Sequence, residues 1–161
     1  MRTIGVSLPD VFIVPLPHFK DERGSNVNVW TKNSHLPFVA ECNVVYSFKK
    51  GILRGIHYDP TRWKAYTCLR GAVFHVVVDI ETGKWFGVEM SHSDRVMIVK
   101  HPRYGNSYQV LENDTMCLYL TNVEYNPVHE KVYRWDDPYF GISWPILPPI
   151  LSKKDAEGIL L

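Results

Sequence analysis

The stretch Arg70-Gly71-Ala72-Val73-Phe74-His75-Val76-Val77-Val78-Asp79-Ile80-Glu81-Thr82-Gly83 decides the fold class. Its valines, phenylalanine and isoleucine suit a pleated strand. Arg70-Gly71 and Thr82-Gly83 bound it with residues that tolerate the positive φ of tight turns. Alternation puts Phe74, Val76 and Val78 on one face and His75, Val77 and Asp79 on the other. That pattern predicts a core face and a semi-polar face, as in a barrel whose interior holds a ligand. Outward from this strand the same pattern repeats. Short apolar segments at 11–14, 39–48, 52–58, 64–69, 86–90, 96–100, 107–111, 116–121 and 130–135 are separated by turn residues, Lys50-Gly51 and Asn113-Asp114 among them. Turn signals near every 8–12 residues mark an all-β sandwich or barrel. No segment keeps a helical period over ten positions, so helices are expected to be short and terminal. One helix is expected after Ser152, a capping residue. The run Pro145-Ile146-Leu147-Pro148-Pro149 cannot pair in a central strand and reads as the connector to it. The expectation is a single all-β jelly-roll domain over 1–161, with a connector and short helix over 145–161.

Composition narrows the function. The 161 residues carry 18 Lys and Arg against 17 Asp and Glu, a net charge of +1, which offers no basic surplus for a nucleic-acid backbone. A content of 45% hydrophobic and 13% aromatic residues excludes intrinsic disorder. No run of 18 apolar residues is present, so no membrane span is expected. Pro9 and Asp10 interrupt what would be the apolar region of a signal peptide, and a cytoplasmic location is expected. Cys42, Cys68 and Cys117 are an odd number without C-x-x-C spacing and are expected to be reduced core thiols.

Jelly rolls often hold metals, usually beginning from a His-x-His pair. No two of the seven histidines lie two apart, and only His92 and His101, flanking 96–100, share a neighbourhood. No metal site is expected. In Gly51-Ile52-Leu53-Arg54-Gly55-Ile56-His57-Tyr58, alternation sets Arg54 and His57 on opposite faces unless a bulge intervenes, and Gly55 permits one. With a bulge, Arg54 and His57 both face a cavity; without it, His57 reads as a core histidine. Lys64 opens the next strand, and an inward lysine is costly unless it meets an anion. Tyr119 and Tyr125 flank Thr121-Asn122 and read, alone, as aromatic packing with a wet hydroxyl.

Read together, several motifs resemble the dTDP-4-dehydrorhamnose 3,5-epimerase family. They are Leu53-Arg54-Gly55-Ile56-His57-Tyr58, the lysine at 64, the strand from Leu69 to Asp79, the stretch from Arg134 to Pro145, and Leu151-Ser152-Lys153-Lys154-Asp155. The resemblance runs from about Asp21 to the C-terminus, in order and in spacing. It implies a metal-free, cofactor-free cupin-type jelly roll, a homodimer in which the strands of 1–30 are exchanged between subunits, and a nucleoside-diphosphate sugar as substrate.

The reaction it implies is inversion at C3, C5 or both of a 4-keto-6-deoxy sugar. The carbonyl acidifies the adjacent hydrogens, so a base removes one, an enolate forms, and protonation from the other face inverts the carbon. By resemblance His57 is the base, oriented by Asp155; Tyr119 is the acid; and Lys64 lies beside the C4 oxygen. Arg54, Arg23 and Tyr125 match binding positions, Arg23 one that reaches a neighbouring subunit's site. Asn106, in Pro102-Arg103-Tyr104-Gly105-Asn106-Ser107-Tyr108, stands where the family usually has histidine; it can hydrogen-bond the substrate but carries no titratable proton. His75 replaces a usual acidic residue, and the family's Gln-x-Asn base-contacting stretch has no counterpart around Glu41-Cys42-Asn43-Val44, which leaves the nucleobase open. The rival readings are a non-catalytic sugar-nucleotide-binding cupin and a 3,4-ketoisomerase of the same fold.

Overall fold

The computed structural model describes residues 1–31, 36 and 38–161. The described residues form two packed antiparallel sheets and a separate hairpin. In spatial order the first sheet is β1 (Arg2–Gly5), β9 (Trp85–Ser91), β8 (Ala72–Asp79), β11 (Tyr104–Val110), β6 (Leu53–Tyr58) and β13 (Lys131–Val132). The second is β2 (Val11–Pro15), β10 (Val96–Lys100), β7 (Lys64–Arg70), β12 (Thr115–Thr121) and β5 (Glu41–Ser47). The hairpin pairs β3 (His18–Asp21) with β4 (Gly24–Val27). A short helix, α1 (Lys153–Ala156), follows Ser152. The arrangement is an all-β, jelly-roll-like sandwich ending in a short helix. No helix among the described residues is long and apolar enough to cross a membrane.

The expected strands form, with shifted ends where polar residues join the ladder. Segment 107–111 starts earlier, at Tyr104, and 130–135 shrinks to Lys131–Val132. Sequence reading missed β1, β3 and β4. Their sequences, RTIG, HFKD and GSNV, lack an apolar face because β1 is an edge strand and the hairpin is exposed. The 1–30 region divides in two: β1 and β2 pair with β9 and β10 of the same chain, while β3 and β4, among the described residues, pair only with each other. A 3-10 turn at His92–Asp94 corrects the expectation of terminal helices alone. Asp94 accepts from the Ser91 backbone N–H there, at 2.7 Å.

The decisive strand, β8, alternates as expected, and both of its faces are buried, His75 and Asp79 of the semi-polar face included. Val73 and Val77 pack between the sheets with Ile98, Tyr104, Val110, Cys68 and Cys117. Phe74, Val76 and Val78 pack outward under Tyr133, Phe140 and Trp144. The segment after β13 folds back over the first sheet and dries its outer face. Gly71 shows how tightly the β7–β8 turn sits: its φ is 78°, and a Cβ there would lie 2.3 Å from Thr115 Oγ1. All three cysteines are free, but Cys42 is exposed, unlike the buried Cys68 and Cys117. Cys42 alternates outward with Val44 and Tyr46 along edge strand β5.

Candidate active site

The site begins with a bulge. On β11, Asn106 pairs with His57 and Tyr108 with Arg54, so Gly55 and Ile56 together stand opposite the single Ser107. The extra residue resets the alternation of β6 and turns Arg54 and His57 into one cavity. Only glycine suits position 55: φ is 109°, and a Cβ would approach the Asn106 carbonyl oxygen to 2.8 Å.

The cavity, about 280 Å³, is lined from both sheets. That is just under the usual range of roughly 300–1,000 Å³ for ligand pockets, so it suits one part of a ligand whose remainder lies at the mouth. β6 and β11 contribute Arg54, His57, Asn106 and Tyr108; β7 and β12 contribute Lys64, Tyr66 and Tyr119; the C-terminal segment contributes Ser152, Lys154 and Asp155. His57 therefore faces Lys64 and Tyr119 across the space between the sheets.

Asp155 is fixed by the helix start. Ser152 caps α1 by accepting from the Asp155 N–H at 3.1 Å and donates its hydroxyl to Asp155 Oδ2 at 2.7 Å. Oδ1 accepts from the Gly55 N–H at 3.2 Å and lies 3.2 Å from His57 Nε2. Nδ1 on the other side of the ring lies 3.2 Å from Glu130 Oε1. Burial alone would lower the His57 pKa, but the contacts and charges of Asp155 and Glu130 outweigh it and hold the ring above its ordinary value. Burial opposes ionisation of Asp155 and Glu130 too, yet His57 keeps both below the usual carboxylate range, aided by Ser152 for Asp155 and Lys154 for Glu130.

Lys64 is buried, not the solvated strand-edge residue that spacing alone allows. Burial and the neighbouring Arg62 charge bring its pKa down to about 8 against the pull of Glu130, Asp59 and Glu41. Burial and the Glu41 charge raise the Tyr119 hydroxyl, whose ring lies 5.6 Å from that of Tyr66. Arg54 donates to Ser47 Oγ at 3.4 Å and to the Tyr46 carbonyl at 3.2 Å. Tyr125 donates to Glu130 Oε2 at 3.1 Å. Asn106 is buried in the cavity wall, and its Oδ1 has no hydrogen-bond partner among the described residues. His75 lies behind the wall against Tyr66, ring centroids 4.7 Å apart, and burial with the charges of Lys100 and Lys64 pushes it down to about 3.

Arg23 is the expected site residue that the fold does not bring to this cavity. It sits on the β3–β4 hairpin, 84% exposed, and clasps Asp21 at 2.6 Å. Sequence reasoning also missed Glu130 and Arg62. Glu130 lay in an expected strand, and nothing in its spacing marked it. Arg62, almost fully buried, donates to Thr121 Oγ1 at 2.9 Å and lies 3.2 Å from Glu41; its place two residues before Lys64 was the available signal. Among the described residues no group of three or more His, Cys, Asp or Glu side chains is placed to hold a metal. His92 and His101 do not converge: His92 approaches the Gly71 carbonyl at 3.4 Å, whereas His101 packs on Trp63.

Comparison with known proteins gives the family. A family model described as dTDP-4-dehydrorhamnose 3,5-epimerase matches residues 5–161. An enzyme of that name from Shigella flexneri is 31% identical over 98% of this chain and 94% of its own length. Another, from Neisseria gonorrhoeae, is 32% identical over 98% of this chain, which spans 52% of that longer protein. The crystal structure of ChmJ, a 3'-monoepimerase from Streptomyces bikiniensis in complex with dTDP-quinovose, superposes with a TM-score of 0.88 at 29% identity, covering 97% of this chain and 86% of that one. With its bulged His57, the facing lysine and tyrosine, and a family match from residue 5 to the last residue, this chain belongs to the dTDP-4-dehydrorhamnose 3,5-epimerase family.

Proposed function

We propose that this protein is an epimerase that inverts C3, C5 or both of a nucleoside-diphosphate 4-keto-6-deoxy sugar. The observation that carries the reading is the placement of His57, held by Asp155, on one wall of the cavity, with Lys64 and Tyr119 on the other. His57 removes the hydrogen α to the C4 carbonyl. Asp155 holds the Nε2 proton, so Nδ1 is the nitrogen that takes it. The electron pair moves onto the C4 oxygen, where the Lys64 ammonium stabilises the enolate. Tyr119, neutral because its pKa is raised, returns a proton from the opposite face, and the carbon inverts. Solvent then takes the proton from His57 and restores the one on Tyr119. Arg54 and Tyr125 suit the diphosphate and the rest of the substrate near the mouth, a guanidinium fork matching paired phosphate oxygens.

The chain is read as one domain over 1–161, a cupin-type jelly roll whose sheets close as a barrel around the cavity. Two features support a homodimer. The β3–β4 hairpin carrying Arg23 has no partner strand among the described residues, and edge strand β5 presents Val44 and Tyr46, next to Phe48, as exposed apolar side chains. Arg23 then serves the partner subunit's cavity. A cytoplasmic location fits the nucleotide-activated substrate and three free cysteines.

The test is incubation with dTDP- and GDP-linked 4-keto-6-deoxyglucose in heavy water. Deuterium entering C3 or C5 with inversion is expected for one of the two. Binding with no exchange in either would overturn the reading.

A further inference from the structure

The two carboxylates on His57 cannot both be served by a neutral ring. Nε2 is 3.2 Å from Asp155 Oδ1 and Nδ1 is 3.2 Å from Glu130 Oε1, whereas a neutral imidazole carries one N–H. With both carboxylates ionised, only the imidazolium avoids setting one lone pair against another. A general base, however, must offer a free lone pair to the hydrogen it removes. One carboxylate has to leave before the ring can act.

Asp155 is not the one that moves. Its oxygens accept from the Gly55 N–H and the Ser152 hydroxyl, and its own N–H is capped. Glu130 is held differently. It precedes β13, and its Oε2 accepts from Tyr125 and Lys154, both at the cavity mouth and both more exposed than the ring. Glu130 is thus held by exposed side chains, whereas Asp155 is held by the β6 backbone and the cap of its own helix.

We propose that Glu130 is a positioning residue that occupies Nδ1 of His57 in the empty site, keeps the ring protonated there, and withdraws toward Lys154 and Tyr125 as substrate enters. On withdrawal the Nδ1 proton passes to water at the mouth, the Nε2 proton stays on the ring facing Asp155, and Nδ1 is free to take the substrate's hydrogen. Substrate thereby discharges the base that will act on it. The inference rests on His57 being the base. The charged and titratable groups around the pair are Asp155 and Lys154 from the C-terminal segment, Tyr125 from the loop after β12, Arg54 from β6, Arg62 before β7, Lys64 and Tyr66 from β7, Tyr108 from β11 and Tyr119 from β12.

Profiles of kcat/KM and kcat against pH separate the two states, because the first reports the free enzyme and the second the complex. In the wild type the acid limb of kcat is expected at lower pH than that of kcat/KM, since Glu130 has left the ring in the complex. In Glu130→Gln the kcat/KM limb shifts down to meet the kcat limb, whatever the height of the plateau. Lys154→Gln, at an exposed position, removes a cation that already pairs with Glu130 Oε2 in the empty site and should move both limbs up; it also keeps the test open if Glu130→Gln misfolds. Nitrogen-resonance titration of His57 without substrate should show the same downward shift in Glu130→Gln. Unchanged limbs and titration in both variants would overturn the role of Glu130. Full turnover by His57→Asn would instead overturn the base assignment on which it rests.

Discussion

Asn106 stands directly opposite His57 in the β6–β11 ladder, and its buried Oδ1 has no hydrogen-bond partner among the described residues. A carbonyl oxygen left unpaired in a cavity wall is costly unless a ligand or water satisfies it. If the substrate meets the Asn106 amide there, that amide cannot relay a proton. Wild-type turnover in heavy water is expected to label one of C3 and C5 and leave the other protonated, as read by mass and proton resonance of the recovered sugar. Equal labelling and inversion at both carbons would show that Asn106 does not restrict the chemistry.

Removing the carboxylate that fixes the Nε2 proton frees the His57 ring to adopt the wrong tautomer. Asp155→Asn is expected to lose much of the roughly 10²–10⁴-fold that general base catalysis contributes. Nucleotide binding, measured by calorimetry with the nucleoside diphosphate alone, should change little, because Asp155 lies beside the ring and not among the groups suited to phosphate. Wild-type turnover by this variant would remove Asp155 from the mechanism.

Lys64 is expected to set an alkaline limb. Its pKa lies at about 8 because burial and Arg62 disfavour the ammonium, so the charge that stabilises the enolate is present below that pH and is lost as pH rises through it. The kcat/KM of the wild type is expected to fall above about pH 8. Lys64→Arg keeps its charge through that range, and its limb should disappear even if its plateau is lower. An unchanged limb in Lys64→Arg would assign the ionisation to another group.

The sequence made the sheets legible because strand β8 and its neighbours satisfy three demands at once: apolar side chains, turn residues at their ends, and lengths of a few residues. Strands β1, β3 and β4 were illegible for the converse reason, since edge and exposed strands bury too little to show alternation. Gly55 permitted the bulge that brings Arg54 and His57 together, but the register against Asn106 and Tyr108 comes from pairing with β11, a partner about fifty residues away in sequence. Asp155 was legible through its capping serine and its family motif. Glu130 was not, because its role depends on a three-dimensional meeting of His57, Tyr125 and Lys154 that no local spacing encodes.

The most direct measurement follows the two proton transfers separately in Tyr119→Phe. This variant keeps His57, Asp155 and Lys64 but lacks the hydroxyl on the facing wall. Incubated in heavy water with the 4-keto sugar nucleotide that the wild type turns over, it should exchange the α-hydrogen for deuterium while retaining configuration, because His57 both removes the hydrogen and returns the deuteron on one face. His57→Asn should neither exchange nor invert. Inversion by Tyr119→Phe at the wild-type rate would contradict a mechanism in which base and acid work from opposite walls of the cavity.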